Sequence, residues 1–490
     1  LINKYQQEVA KHNNQAKSLQ RVIVKIGNAT LMTNLTTASG FATFILTNSK
    51  ILKEFGVVAS INIVAIFLLS LLIIPIVYSF MKLPNKKHLK HLKNKSIDYF
   101  VKWMENKVRE KRINVYIVSL LGLIIGIIGI YQIKISGSII EDMPKSAPFF
   151  EDIRFFDQSF NGIVPVEIWL DSKRENGIVK PATLKRMNEL QEVIGEYPEL
   201  AQPISVVNAV KFAKQAYYNG NPNYYSLPTT QENSFIYPYL SKANGDSQLL
   251  SGYVDSTGQY GRITTFMQDI ETDRMEIIEA ELKKAITKIF PAERYGVNIT
   301  GKSLLFLKGT KYLINNLILS LSLAILLIAF FMAYLFRSFK MILISLIPNL
   351  LPLIITAGVM GFAGIPLKPS TILVFSIAFG ISVDDTIHFL AKYRQELISN
   401  NWRIKQAVFA ALRETGISMF YTSVVLFFGF SVFLSSNFGG TQALGGLVAV
   451  TLLMAMLANL ILLPSLLISL EDTISNDKVL KEPKIEILDQ

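Results

Sequence analysis

The chain has 490 residues, of which half are hydrophobic and only 18% charged, and its mean hydropathy of +0.36 is foreign to a soluble protein of this length. Its net charge of +12 gathers beside the oily runs, which speaks for membrane orientation and against a nucleic-acid partner. The absence of cysteine excludes disulfides, thiolate zinc sites and thiol catalysis.

In chain order, residues 1–80 contain two apolar runs, Ala29–Asn48 and Phe55–Phe80. A helix needs about 20 residues to cross a hydrocarbon core, and both reach that length, although the first is rich in threonine. Residues 81–113 form a basic linker. Between Lys82 and Arg112, eleven Lys and Arg stand against three acids, which places the stretch in the cytoplasm. Within it Ile97, Phe100, Val101, Met104 and Val108 recur at helical spacing beside Trp103, the pattern of an amphipathic helix lying along the headgroups. His88 and His91 belong to this linker and need no metal to explain them. Residues 114–134 hold the next span, Val115–Ile133.

Counting crossings from the linker puts residues 135–310 on the far side of the membrane. Val164, Val166, Ile168 and Leu170 alternate as a strand, and Pro181 opens a helix with Leu184, Met187, Leu190 and Ile194 on one face. The pattern recurs with a strand at Gly261–Asp269, a helix through Met275, Ile278, Leu282, Ala285 and Ile289, and a strand at Gly296–Thr300. Two such units predict a ferredoxin-like α/β sandwich. Between them, Tyr217 to Asp246 reads as an irregular aromatic insertion whose rings pack the loop or touch an amphiphilic substrate.

Residues 311–470 carry five further runs: Leu313–Phe336, Met341–Ala363, Ser370–Leu390, Gly416–Ser435 and Ala443–Leu470. Residues 471–490 are a charged tail that the count returns to the cytoplasm. Pro348, Asn349 and Pro352 predict a kink in the second run. The third run is the most informative, because Asp384, Asp385 and His388 interrupt it. Its uninterrupted apolar part, Thr371 to Val383, is too short to span. A spanning helix therefore carries the acids into the membrane, where such groups mark an ion or substrate pathway. Gly380, Asp384 and His388 stack on successive turns, Gly380 making room for a neighbouring helix, and Asp385 points about 100° away. Hydroxyl partners are expected from Ser418 and Thr422, or from Thr30, Thr33, Asn34 and Thr37, although such groups also bond to their own helix backbone.

The chain also repeats itself. Lys4-Tyr-Gln-Gln-Glu8 matches Lys392-Tyr-Arg-Gln-Glu396, and an offset of 389 residues aligns Gly27 with Gly416, Thr33 with Thr422, Gly40-Phe41 with Gly429-Phe430, Phe44 with Phe433, Gly56 with Gly445 and Pro75 with Pro464. Residues 1–80 then read as the last two spans of a first copy and residues 115–470 as a second copy. The counterpart of the aspartate motif falls upstream of Leu1, so an N-terminally truncated fragment is expected.

Gly380-Ile-Ser-Val-Asp-Asp-Thr-Ile-His388, with Phe336-Arg-Ser-Phe339, Ile347-Pro-Asn-Leu-Leu-Pro352 and Gly364-Ile-Pro-Leu367 before it, resembles the RND superfamily of exporters, most of all its MMPL-like branch, which includes Patched-like, sterol-sensing-domain-related proteins. That resemblance implies an α-helical polytopic membrane protein with about eight spans here, drawn from a duplicated six-helix unit, plus one extracytoplasmic porter-type domain. It implies that acids in the fourth and tenth helices couple ion flow to export; with the stacking and hydroxyl partners read above, ion translocation is expected of Asp384, Asp385, His388 and Thr422, with Gly380 packing beside them.

The expected function is therefore secondary active transport rather than enzymatic catalysis: ion-coupled efflux, by proton antiport, of a hydrophobic or amphiphilic molecule such as a lipid. The expected place is the inner (plasma) membrane. No cofactor is expected beyond the coupling ion, H+ or Na+. Expected partners are the cargo, the membrane, the missing N-terminal half, and a second copy or a periplasmic accessory protein. A lipid- or sterol-sensing receptor-like protein and a SecDF-type translocation accessory are the rival readings. An intramembrane aspartyl protease needs its two acids on facing helices, whereas here both lie on one.

Overall fold

The computed structural model describes residues 2–46, 50–84, 95–135, 140, 142–236, 238, 252–336 and 338–469. The histidines of the basic linker, Arg337, the end of the aromatic insertion and the charged tail lie outside that set. The helices are α1 (Ile2–His12), α2 (Gln15–Ala42), α3 (Lys50–Phe80), α4 (Lys95–Glu110), α5 (Arg112–Ile130), α6 (Pro148–Ser159), α7 (Pro181–Gly195), α8 (Val206–Tyr217), α9 (Thr272–Ile289), α10 (Lys302–Phe336), α11 (Phe339–Phe362), α12 (Pro369–Ser399), α13 (Ile404–Ser431), α14 (Gly439–Leu457) and α15 (Leu463–Ser469). The strands are β1 (Val164–Asp171), β2 (Tyr260–Met267) and β3 (Gly296–Thr300). The chain divides into two compact units, one of residues 1–134, 313–436 and 440–490, the other of residues 135–312 and 437–439.

In the first unit and at its junctions, seven helices among the described residues are long and apolar enough to cross a membrane. They cover every expected run but the first. Ala29–Asn48 falls largely within α2 and its 3-10 extension, where the apolar stretch among the described residues is Thr37–Leu46.

The repeat is visible in three dimensions. α2 and α13 begin at Gln15 and Ile404 and end at Ala42 and Ser431, their 3-10 extensions are Thr43–Leu46 and Val432–Ser435, and the next helices open at Lys50 and Gly439, so each pair differs by 389. α1 and α12 both end in a left-handed asparagine, Asn13 (φ 48°) and Asn401 (φ 51°), positions 388 apart. The second copy then adds Trp402, also left-handed at φ 62°. That single residue accounts for the change of offset from the Lys4 match to the Gly27 match. In each copy the helix that follows the 3-10 segment packs back on the end of the helix before it through a glycine. A Cβ on Gly56 would meet the Phe41 carbonyl and the Phe44 Cβ, both at 2.8 Å, and one on Gly445 would meet the Phe430 carbonyl at 2.6 Å and the Phe433 Cβ.

Glycine also sets the approach of α5 to α11. A Cβ on Gly126 would lie 2.9 Å from the Ile354 carbonyl, and one on Gly129 would collide with the backbone of Gly358. Without Cβ atoms the two backbones touch, which is how membrane helices associate when lipid removes any hydrophobic drive. The apolar stripe of α4, expected to lie along the headgroups, meets other helices of the chain. Its Val101, Met104 and Val108 are at most 4% exposed, covered by protein. Gly416 of α13 faces Val101 and Met104, and the rings of Phe100 and Phe420 lie 4.9 Å apart.

The second unit is built on a three-stranded sheet in the order β2-β1-β3, antiparallel throughout. Val166, Ile168 and Leu170 of β1 join Leu184, Met187 and Leu190 of α7 and Ile278 and Leu282 of α9 in one buried core. The expected strands and helices are present, but among the described residues the sheet has three strands, fewer than the expected ferredoxin-like sandwich requires. Along the free edge of β2, Leu200 and Ile204 make isolated bridges to Met267 and Thr264. Pro203 lacks the donor a ladder needs, and Ser205 caps α8 directly afterwards. Within the aromatic insertion, Tyr218 stacks on Tyr224 at 4.1 Å and hydrogen-bonds to Glu232, so these rings pack the loop.

Candidate functional site

α12 places the candidate residues, and its faces have different neighbours. A residue advances a helix by about 100°, so Gly380, Asp384 and His388 share one face while Ser382 and Thr386 lie roughly opposite. α12 packs against α2, α11 and α13.

The Gly380 face meets α2. A Cβ on Gly380 would sit 3.9 Å from Phe41 Cε2 and 4.0 Å from Thr37 Cγ2, ordinary contact distances, so α2 is the neighbour of this face but its approach does not require a glycine there. On the same face Asp384 and His388 approach to 3.8 Å between Oδ1 and Nε2, with 38% and 35% of their side chains exposed. That distance is within ion-pair range yet beyond a hydrogen bond, and the two groups are half-buried. Asp385 is also half-buried.

The opposite face is sealed by hydrogen bonds. Ser382 Oγ donates to Asn349 Oδ1 at 2.5 Å, and Asn349 Nδ2 reaches Thr386 Oγ1 at 2.8 Å. Thr386 Oγ1 lies 2.6 Å from Asn459 Oδ1, and Asn459 Nδ2 donates to the Ser382 carbonyl at 3.2 Å. All four side chains are at most 1% exposed. An unsatisfied polar group costs several kcal/mol at such depth, so the cluster ties α12 to α11 and to the segment joining α14 and α15. That segment is a π-helical turn, Ala458–Leu462, whose extra residue aims Asn459 inward. Asn349, which the sequence groups with its flanking prolines, is the hub of this network.

Two charge clusters hold the same helices where they leave the apolar region. Lys392 of α12 binds Glu414 of α13 at 2.6 Å and Glu396 at 2.8 Å. The preceding residue, Arg413, grips Glu105 of α4 with both Nε (2.8 Å) and Nη2 (2.7 Å), while Arg109 adds a third bond at 2.7 Å. The Arg413 hydrogen bonds, and then Arg109, hold the Glu105 carboxyl below the usual range against the opposing effect of burial. Adjacent residues of α13 thus fasten both the aspartate helix and the linker helix.

The structure brings Gly380, Asp384 and His388 onto one face beside Thr37. Thr422 makes its hydrogen bonds within its own helix, to the Met419 and Ser418 carbonyls at 3.0 and 3.2 Å, and Ser418 likewise bonds to Thr415. The side chains of Thr30 and Thr33 lie outside the described residues. Asn459 is absent from the expected set, although it is the one amide inside the apolar run Ala443–Leu470, and that isolation was its signal.

The profile of the MMPL family matches residues 1–95 and 206–482, which include α2, the aspartate helix and the later half of the second unit. A segment of 126 residues is 29% identical to a membrane protein of Methanocaldococcus jannaschii. The match covers 26% of this chain and 32% of that relative, so about a third of the relative's length is represented.

Proposed function

The chain belongs to the MMPL family, and from that premise we propose that it exports a hydrophobic or amphiphilic molecule, such as a lipid, driven by an ion bound at Asp384 and Asp385. The observation that carries the reading is the two-sidedness of α12. One face is sealed by Ser382, Thr386, Asn349 and Asn459, and the other presents Asp384 and His388 beside α2. A change of charge on that second face alters what α2 packs against without breaking the buried network. Moving one charge through the membrane potential supplies about 2.3 kcal/mol per 100 mV, enough to bias a rocking step between two packings of α2 on α12. Asp384 and Asp385 are adjacent and act together, with His388 one turn away as the group that exchanges the proton. Proton antiport is the form this takes, and sodium in place of the proton is the variant the same acids support. Gly380 keeps the rocking surface smooth, and Thr422 contributes from α13. We place residues 135–312 outside the cytoplasm, where they open and close the path of the cargo.

The test is transport in proteoliposomes with and without an imposed proton gradient. Asp384→Asn and Asp385→Asn are expected to lose gradient-driven export while keeping cargo binding. Full export by both correctly inserted variants would sink the coupling assignment, and loss of binding alone would favour a lipid sensor.

A further inference from the structure

We propose that the junction of α4 and α5 is a binding site for the phosphate headgroup of an anionic phospholipid, separate from the aspartate helix. An open recess of about 760 Å³ lies there, lined by Arg109, Lys111, Arg112, Lys405, Tyr116 and Ser469 among others. Four cations thus face one acid, Glu110, in the same wall. Their availability differs in a way that favours a ligand. Arg109 is already engaged, with its guanidinium on Glu105 and 4.8 Å from the Phe409 ring centre. Lys111 and Arg112 have no ion-pair partner among the described residues. They stand at the entry of α5, where no side chain caps the helix and the free amides add to the positive field.

The floor of the recess is polar and ordered. Tyr116 donates its hydroxyl to the Ser465 carbonyl at 2.8 Å and lies 2.6 Å from Ser469 Oγ. That bond joins α5 to α15 and holds the basic residues in register. The setting points to a lipid as the source of the phosphate. α5 and the segment ending at Ser469 are both membrane-capable, so the recess lies where apolar helices end. Leading away from it, Ile113, Ile117 and Leu121 on α5 are 72%, 50% and 52% exposed and share one face at four-residue spacing. An acyl chain lies along that ridge while its phosphate meets the cations. Basic pockets between helix ends on the cytoplasmic side are suited to such headgroups.

The test measures phosphatidylglycerol against phosphatidylcholine retained by the purified full chain, by native mass spectrometry and by titration in nanodiscs. The probe variant is Lys111→Gln with Arg112→Gln and Lys405→Gln. The control is Lys185→Gln with Lys284→Gln and Lys288→Gln, which removes equal charge from the other unit. The site variant is expected to lose the preference for phosphatidylglycerol by about 100-fold, roughly fivefold per cation, and the control to keep it. A charge-preserving variant, Lys111→Arg with Arg112→Lys and Lys405→Arg, is expected to keep most of it, which separates a lost ligand from a lost fold. Unchanged preference in the site variant overturns the proposal. So does displacement of the lipid by inorganic phosphate at equal concentration, which would assign the cations to a free anion.

Discussion

Ser382 and Thr386 stand two residues to either side of Asp384, and the helix turn sends their hydroxyls away from the carboxylate. The consequence is a division of labour between neighbouring residues of one motif. Thr386 sits between two amides, Asn349 and Asn459, so Thr386→Val removes a partner from both while keeping the shape. Leaving a buried group unsatisfied costs about 1–3 kcal/mol, and a lower unfolding temperature in detergent is the expected readout. Ser418→Ala, on an exposed stretch of α13 bonded only to its own backbone, is expected to change stability by less than about 0.5 kcal/mol. In the second unit, Lys214 lies 2.8 Å from Glu232 and, with hydrogen bonds from Thr229 and Tyr218, holds its carboxyl down at about 2. An unfolded glutamate titrates at about 4.3. The pair's stabilisation is therefore complete above that range and lost as pH falls toward the folded value. The stability gap between wild type and Glu232→Gln should be constant near neutrality and close between about pH 4 and 2. A gap that ignores pH would assign the effect to packing.

At the scale of elements, three helix pairs are set by missing side chains and one by charge. The contact of α5 with α11 places Gly129 on the backbone of Gly358, so Gly129→Val has no room to relax into. Overpacking of this kind costs typically 1–3 kcal/mol, and here the obstruction is backbone, so the upper end is expected. Gly429→Ala is the comparison, since nothing lies within 4 Å of its added Cβ. Thermal unfolding of the two variants, read side by side, should separate them clearly. Gly56 meets Phe41 and Phe44 as Gly445 meets Phe430 and Phe433, so the duplication preserves a packing device along with a pattern of letters. α4 belongs here too. Its helical period was legible, but a period cannot say whether lipid or protein covers the stripe, and the Glu105 clamp to Arg413 decided for protein.

For the molecule as a whole, the functional question is whether α2 moves against α12. The chain contains no cysteine, so a pair introduced at Thr37 and Gly380 is the only one present. The Cβ built at Gly380 lies 4.0 Å from the Thr37 Cγ2, so side chains introduced at the two positions meet. Thr37→Cys with Gly380→Cys is expected to oxidise within one chain and to stop export, with activity returning on reduction. Export that continues through the crosslink would show that the rocking surface lies elsewhere.

The sequence alone determined the class of protein, because hydropathy over about 20 residues is a local property that no partner can alter. It determined the repeat for the same reason, down to a one-residue change of offset that the structure traces to Trp402 in the turn after Asn401. It located the aspartate helix, since acids in an oily run announce themselves. Only the tertiary structure decided which helix each face of α12 meets. That outcome rests on contacts between residues far apart in the chain, such as Thr386 with Asn459 and Gly380 with Thr37, which helical spacing leaves open. It also decided that the expected fourth strand is reduced to two bridges, because ladder formation at an edge depends on the few residues, here Pro203 and Ser205, that must supply donors in register.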